Sequence, residues 1–183
     1  MARWFLAMLV LVTMTAPVVG DRSAADRALR QGDKAEAVRI WTARAEAGDR
    51  DAQYRLARSY EDGVIVAADL EAAARLYRAA AAQGHAGAQT AAATIAYEAG
   101  DFAEARRWAE AAAADGCAAA AHLLGRMNLR GEGFAVDHAQ AFRWFLLAEQ
   151  RGHVLAAHDR RSTARLVPVE QRREIRHEVA AAG

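Results

Sequence analysis

Gly100-Asp101-Phe102-Ala103-Glu104-Ala105 restates, 68 residues further on, Gly32-Asp33-Lys34-Ala35-Glu36-Ala37. In each copy the glycine suits the end of one helix and the aspartate suits the N-cap of the next. A glutamate stands three residues on, as in a capping box. Outward from these two stretches, Gly48, Gly84, Gly116 and Gly152 recur at intervals of 36, 32 and 36. Eleven residues before them stand Ala37, Ala73, Ala105 and Ala141, and four after them Ala52, Ala88, Ala120 and Ala156. Eight before come Ile40, Leu76, Trp108 and Trp144; seven before come Trp41, Tyr77, Ala109 and Phe145. These offsets mark one apolar helical face, so each unit reads as a helix, a turn at glycine and a second helix.

Two connections are longer: residues 63–69 end in Asp69 and residues 131–137 end in Asp137, both placed to cap a helix. Short and long connections alternate, the pattern of a pair of units duplicated once. Fifty alanines against two prolines in 183 residues agree with a nearly all-helical chain. No single helix pair can bury its apolar stripe, so pairs must stack, and alanine at the contact positions permits close approach. The expected fold is all-α: a right-handed α-solenoid of about four helix-turn-helix units over residues 33–165. Capping helices are expected over 21–32 and 166–183, with Pro168 at a first helical position.

The first twenty residues read as an address. After Arg3, the run from Trp4 to Val19 is apolar but for Thr13, Thr15 and Pro17, and Val18 and Gly20 are small residues ahead of polar Asp21. That is the pattern of a signal peptide cut after Gly20; the alternative is an N-terminal membrane anchor. A net charge of +1 falls to zero once Arg3 is removed, which argues against a nucleic-acid partner. A single cysteine, Cys117, excludes an internal disulfide and any multi-cysteine metal site.

Several stretches resemble the Sel-one-like repeat, a relative of the tetratricopeptide repeat. Gly84-His85-Ala86-Gly87-Ala88-Gln89 is similar to its helix-joining turn. The run from Leu124 through Gly131-Glu132-Gly133-Phe134 to Asp137 is similar to its second helix and long loop, and Ala141-Phe142-Arg143-Trp144-Phe145 to its first helix. The likeness covers about residues 33–160. It departs at Ala92-Ala93, at Arg160 in place of leucine, and in lacking the paired cysteines of many exported relatives. The resemblance implies a non-catalytic adaptor that binds another protein or peptide on its concave face or loop edge.

Arg39, Arg75, Arg107 and Arg143 stand nine residues before the four glycines and form a row in the stacked array. They read either as guanidinium forks for a partner's carboxylates or phosphates, or as a solvated face of local ion pairs. The second reading is favoured, because Glu36, Glu71 and Glu104 stand three or four residues earlier. Arg143 lacks such an acid and is expected to be the free rung. Leu146 and Leu147 occupy a normally wet face, as a binding patch or as the seat of the C-terminal helix; the seat is the stronger reading. The Phe134 loop completes the candidate contacts.

Cys117 and His122 lie five residues apart without an evident orienting acid, a poor fit to a nucleophile and its base. The six histidines show no metal spacing, no phosphate loop or serine elbow is present, and no cofactor is expected. The expected role is a non-catalytic scaffold or regulator in a bacterial envelope assembly, after cleavage and without membrane insertion. Two alternatives are a periplasmic immunity protein against a secreted toxin and a weak cell-wall-related hydrolase.

Overall fold

The computed structural model describes residues 22–181; the proposed signal peptide, its cut after Gly20 and the anchor alternative fall outside them. Ten α-helices run in order among the described residues: α1 (Arg22–Arg30), α2 (Lys34–Glu46), α3 (Arg50–Asp62), α4 (Leu70–Ala82), α5 (Ala86–Glu98), α6 (Phe102–Ala114), α7 (Ala118–Arg130), α8 (His138–Gln150), α9 (Ala156–Thr163) and α10 (Val169–Ala181). A 3-10 turn, Ala164–Leu166, continues α9, and no strand occurs among the described residues. From α1 to α9 each helix packs on its neighbours in sequence, and α10 packs back on α8, which makes an all-α solenoid of two layers. In the odd-numbered layer α5 and α7 also meet each other, more than α4 and α6 or α6 and α8 do, so this layer lies inside the curve.

The turns explain the periodicity. At each of six short turns the amide of the residue after glycine donates to a carbonyl five residues back, as Asp49 does to Arg44 (3.0 Å), His85 to Ala80 (3.1 Å) and Cys117 to Ala112 (2.9 Å). This closure needs a left-handed residue just past the helix, and Gly116 supplies it at φ 88°. Asp33, Asp69, Asp101 and Asp137 cap α2, α4, α6 and α8 by accepting from amides at 2.9–3.0 Å, as their positions predict. The reciprocal half of the capping box does not form at Glu36 or Glu104. The amides of Asp33 and Asp101 are already bonded to Ala28 and Ala96, so the glutamates turn to arginines instead. α10 begins at Val169, one residue after Pro168, so the proline precedes the helix rather than opening it.

The core is a file of alanines with occasional aromatics. Ala37, Ala73, Ala105 and Ala141 are fully buried, and Tyr77, Phe142 and Phe145 are the largest side chains nearly or wholly without exposure. Trp41 is buried as well, while Trp108 and Trp144 are half-buried at the layer edges. α10 seats Ile175 and Val179 on Phe142, with Leu146 and Leu147 alongside, as the sequence predicts for the seat of a closing helix.

One departure from the repeat leaves a buried group unserved. Gln53 and Gln89 occupy equivalent positions, and each donates to a carbonyl of the preceding helix, Ala45 at 3.2 Å and Ala81 at 3.4 Å. Gln53 Oε1 accepts from Gln83 at 2.8 Å, but in the next unit the counterpart of Gln83 is Asp115, which has no proton to give, and Gln89 Oε1 is buried without a partner. Asp115 also puts a negative charge at the C-terminus of α6, the wrong end for the helix dipole. Asp115→Gln is therefore expected to stabilise the protein by about 1 kcal/mol. In a chain of this length that is a rise of about 2–4 °C in Tm, read by thermal unfolding; an unchanged or lower Tm contradicts it.

Candidate interaction surface

The outer layer carries the arginine row. Arg39 makes a bidentate pair with Glu36 at 2.7 Å, Arg75 pairs with Glu71 at 2.8 Å, and Arg107 lies 3.7 Å from Glu104 and over the Trp108 ring. These three are strongly exposed (62–73%) and paired within their own helices. Arg143 is not the free rung. Its acid comes from outside its own helix, Glu178 of α10, and its side chain is 30% exposed. Leu146 is likewise committed to the seat of α10, so neither residue stands open to a partner.

Glu104 shows what spacing within one helix cannot reveal. Arg78 of the preceding unit grips it with both nitrogens at 2.8 Å, and the Trp108 indole donates to it at 3.1 Å. The Arg78 guanidinium above all, helped by Trp108, holds the Glu104 carboxyl below the usual range against the opposing effect of burial. Arg78 is six residues before its glycine and Glu104 twelve before the next, so the pair is legible only when adjacent units are superposed.

The same comparison exposes a series of contacts along the inner layer. The residue six after one glycine meets the residue one after the next. Tyr54 stacks on His85 at 4.2 Å, Thr90 Oγ1 lies 3.2 Å from Cys117 Sγ, and His122 stacks on His153 at 4.1 Å. His85 also caps α5, its Nδ1 accepting from the Ala88 amide at 3.1 Å. His122 has an acid after all: its Nε2 lies 2.7 Å from Asp159 Oδ2. Cys117 is bonded to Thr90 instead, so the two residues weighed as nucleophile and base are engaged with different partners. Burial, and next to it the His122 ring, push His153 below the usual histidine range, against a smaller opposite pull from Asp159.

At the N-terminal end of the inner layer a cleft of about 680 Å³ opens along α3, between α1 and the start of α5. Tyr54, His85 and Ile65 give it an amphipathic wall, and Asp26, Arg55, Arg58 and Asp62 stud it with alternating charge. Arg55 reaches Asp26 at 2.8 Å, and Arg58 lies a looser 3.7 Å from Asp62. Arg44, nearly fully buried, forms the floor beside Trp41. A smaller cleft of about 400 Å³ lies at the loop edge, lined by Phe134, Asp137, Gln140 and Trp144 among others. Phe134 is half-buried there, packed on the core with the Arg106 guanidinium 4.1 Å above its ring. Among the described residues no group of three or more metal-ligating side chains is positioned to hold an ion, and no helix is long and apolar enough to cross a membrane.

The Sel1 repeat model matches residues 50–85, 87–117 and 118–153, more than half of the chain. The chain belongs to the Sel1 repeat family. Each matched unit runs from an inner helix to an outer one, the opposite phase to the pairing read from the glycines; a tandem array can be cut at either turn. The fold is similar to that of a Sel1 repeat protein from Oxalobacter formigenes, with TM-score 0.74 and 23% identity over 93% of this chain and 74% of that one. It is also similar to a protective antigen present in uropathogenic Escherichia coli strains and displaying an SLR fold, with TM-score 0.56 and 25% identity over 82% of this chain. The chain spans only 42% of the length of that second structure. No curated protein matches the chain. Sel1 repeat proteins are generally scaffolds for protein–protein interaction and typically non-catalytic.

Proposed function

We propose that this Sel1 repeat protein is a non-catalytic interaction scaffold of the bacterial cell envelope, exported by residues 1–20 and holding a peptide or protein partner in its inner cleft. The observation that carries this reading is the cleft along α3. There aromatic surface and charges of both signs are presented on rigid helices, a composition that suits an extended segment with mixed side chains. Apart from Arg44, the cleft's guanidiniums are substantially exposed, and Arg58 is held only loosely, so its fork can turn to a partner's carboxylate at small cost. The Phe134 cleft gives the loop edge as a second point of contact. Export is supported by the leader pattern of residues 1–20. The outer arginines Arg39, Arg75 and Arg107 are secondary contacts in this reading, since Arg39 and Arg75 have acids of their own and Arg107 shares Glu104 with Arg78.

Capture of the mature protein from envelope extracts tests the reading. Arg58→Glu together with Tyr54→Ala is expected to abolish retention of the partner that the wild type holds, with the helical circular dichroism unchanged. Arg39→Glu, Arg75→Glu and Arg107→Glu are expected to leave retention intact. Partner loss in the outer-row variants with retention in the cleft variant contradicts the proposal.

A further inference from the structure

The array ends on a face built to receive another helix. Nine residues after each turn glycine stand Ala57, Ala93 and Gly125, where the next outer helix presses closest. Ala57 packs with Tyr77 of α4, Ala93 clusters with Ala105 and Ala109 of α6, and a Cβ on Gly125 would lie 2.6 Å from the Phe145 ring of α8. The fourth member of this series is Arg161, on α9, and it is exposed. Four residues on, Arg165 is exposed too, next to Leu166 at 54% exposure. The register of α9 is otherwise kept, since Ala156 is fully buried like Ala52, Ala88 and Ala120. α10 packs on α8 and on Ala164 and Val167 just past α9 but makes no comparable contact with α9 itself, so among the described residues the seat is open.

The charge of this end departs from the rest of the molecule. Through the outer layer and along α3, arginines have acids beside them, but Arg161, Arg165 and Arg173 make no ion pair among the described residues. Residues 151–181 contain seven arginines against four acids, Asp159, Glu170, Glu174 and Glu178. Arg161, near the end of α9, and Arg165, in the 3-10 turn that follows, leave two exposed positive charges at this end. A polar end to stop further stacking would need neither a single sign nor exposed leucine.

We propose that the open face of α9, continued by the 3-10 turn after it, docks an acidic amphipathic helix of a partner protein, its carboxylates on Arg161 and Arg165 and its apolar side on Leu166. The proposal rests on the scaffold reading but uses a different face from the inner cleft. A second copy of this chain is a poor occupant, because its front helix α1 carries the exposed Arg30 and would bring like charges together. The repeated inner–outer contact gives the face the width of a helix, which favours a helical segment over a lipid surface.

The test is fluorescence anisotropy with a labelled helical peptide of leucine, alanine and glutamate, its glutamates one turn apart, and a counterpart carrying lysine for glutamate. The wild type should bind the glutamate peptide, more weakly as salt rises, and reject the lysine one. Combined Arg161→Glu and Arg165→Glu should lower affinity for the glutamate peptide by at least about tenfold and admit the lysine peptide. The Tyr54→Ala and Arg58→Glu cleft variant should bind the glutamate peptide as the wild type does, which keeps failure of this proposal distinct from failure of the cleft reading. Equal binding of the glutamate peptide by the wild type and the charge-reversed protein overturns the proposal. So does a wild type that ignores both peptides, whether or not it binds phosphatidylglycerol vesicles.

Discussion

Replacing Phe145 by alanine is expected to cost about 3–5 kcal/mol, the range for emptying a fully buried aromatic site. The ring has no exposed surface, lies tilted 5.4 Å from His122 and rests against Gly125, where a Cβ would meet two ring carbons at 2.6 Å. The helix backbone at Gly125 that lies against the ring cannot move in to fill the space. Gly125→Ala makes the converse test. It gains about 1 kcal/mol of helix propensity but forces the ring out of its seat, for a net loss of about 1–2 kcal/mol. Combined with Phe145→Ala, the added methyl should no longer collide, so the double variant should be more stable than the two single losses sum to, as chemical denaturation would show.

The second large effect is expected at Asp49, whose carboxylate serves two masters. It caps α3 by accepting from the amides of Asp51 and Ala52 at 2.9 and 3.0 Å, and it pairs with Arg44 at 2.5 Å. Arg44 is nearly buried, and its Nε has no partner, so Asp49 is the acid that balances it. Asp49→Ala should cost about 2–4 kcal/mol, beyond the roughly 1 kcal/mol of a lost cap, because a cation is stranded below the surface. Arg44→Ala should cost less: the equivalent residues Ala80, Ala112 and Ala148 are buried alanines, and the freed carboxylate keeps its capping role.

The pH dependence follows from the same site. Burial works against the Asp49 carboxylate, but the Ala52 amide, Arg44 and the Asp51 amide outweigh it and hold its pKa below the usual aspartate range. A depressed folded-state pKa means that the stabilisation is complete above the unfolded value near 4 and is lost as pH falls through it toward the folded one. The stability gap between wild type and Asp49→Ala should therefore narrow below about pH 4. A gap that stays constant across that range would contradict the role given to the charge.

How far the sequence could be read depended on whether the relevant partner lay in the same unit. The turn glycines, the aspartate caps and the alanine file repeat because every unit needs the same closure and the same close approach, and each appears where its spacing predicts. The Glu36–Arg39 and Glu71–Arg75 pairs were legible for the same reason. Arg143 was misread because its acid, Glu178, sits on a closing helix outside the repeat. The Tyr54–His85, Thr90–Cys117 and His122–His153 contacts join different residue types across neighbouring units, so only the register connects them, and no residue-type motif announces it. The cleft was the hardest to foresee: its walls come from α1, α3, the 63–69 loop and the His85 cap of α5, and its floor, Arg44, breaks the alanine rule of the other units.

Hydrogen exchange on Phe145→Ala under native conditions bears most directly on the arrangement as a whole. Stacked units that touch only their neighbours should transmit the damage locally, so protection should fall in α7 to α10 while α2 to α5 keep wild-type rates. A uniform loss of protection from α2 to α10 would mean a single cooperative globule and would contradict a scaffold assembled unit by unit.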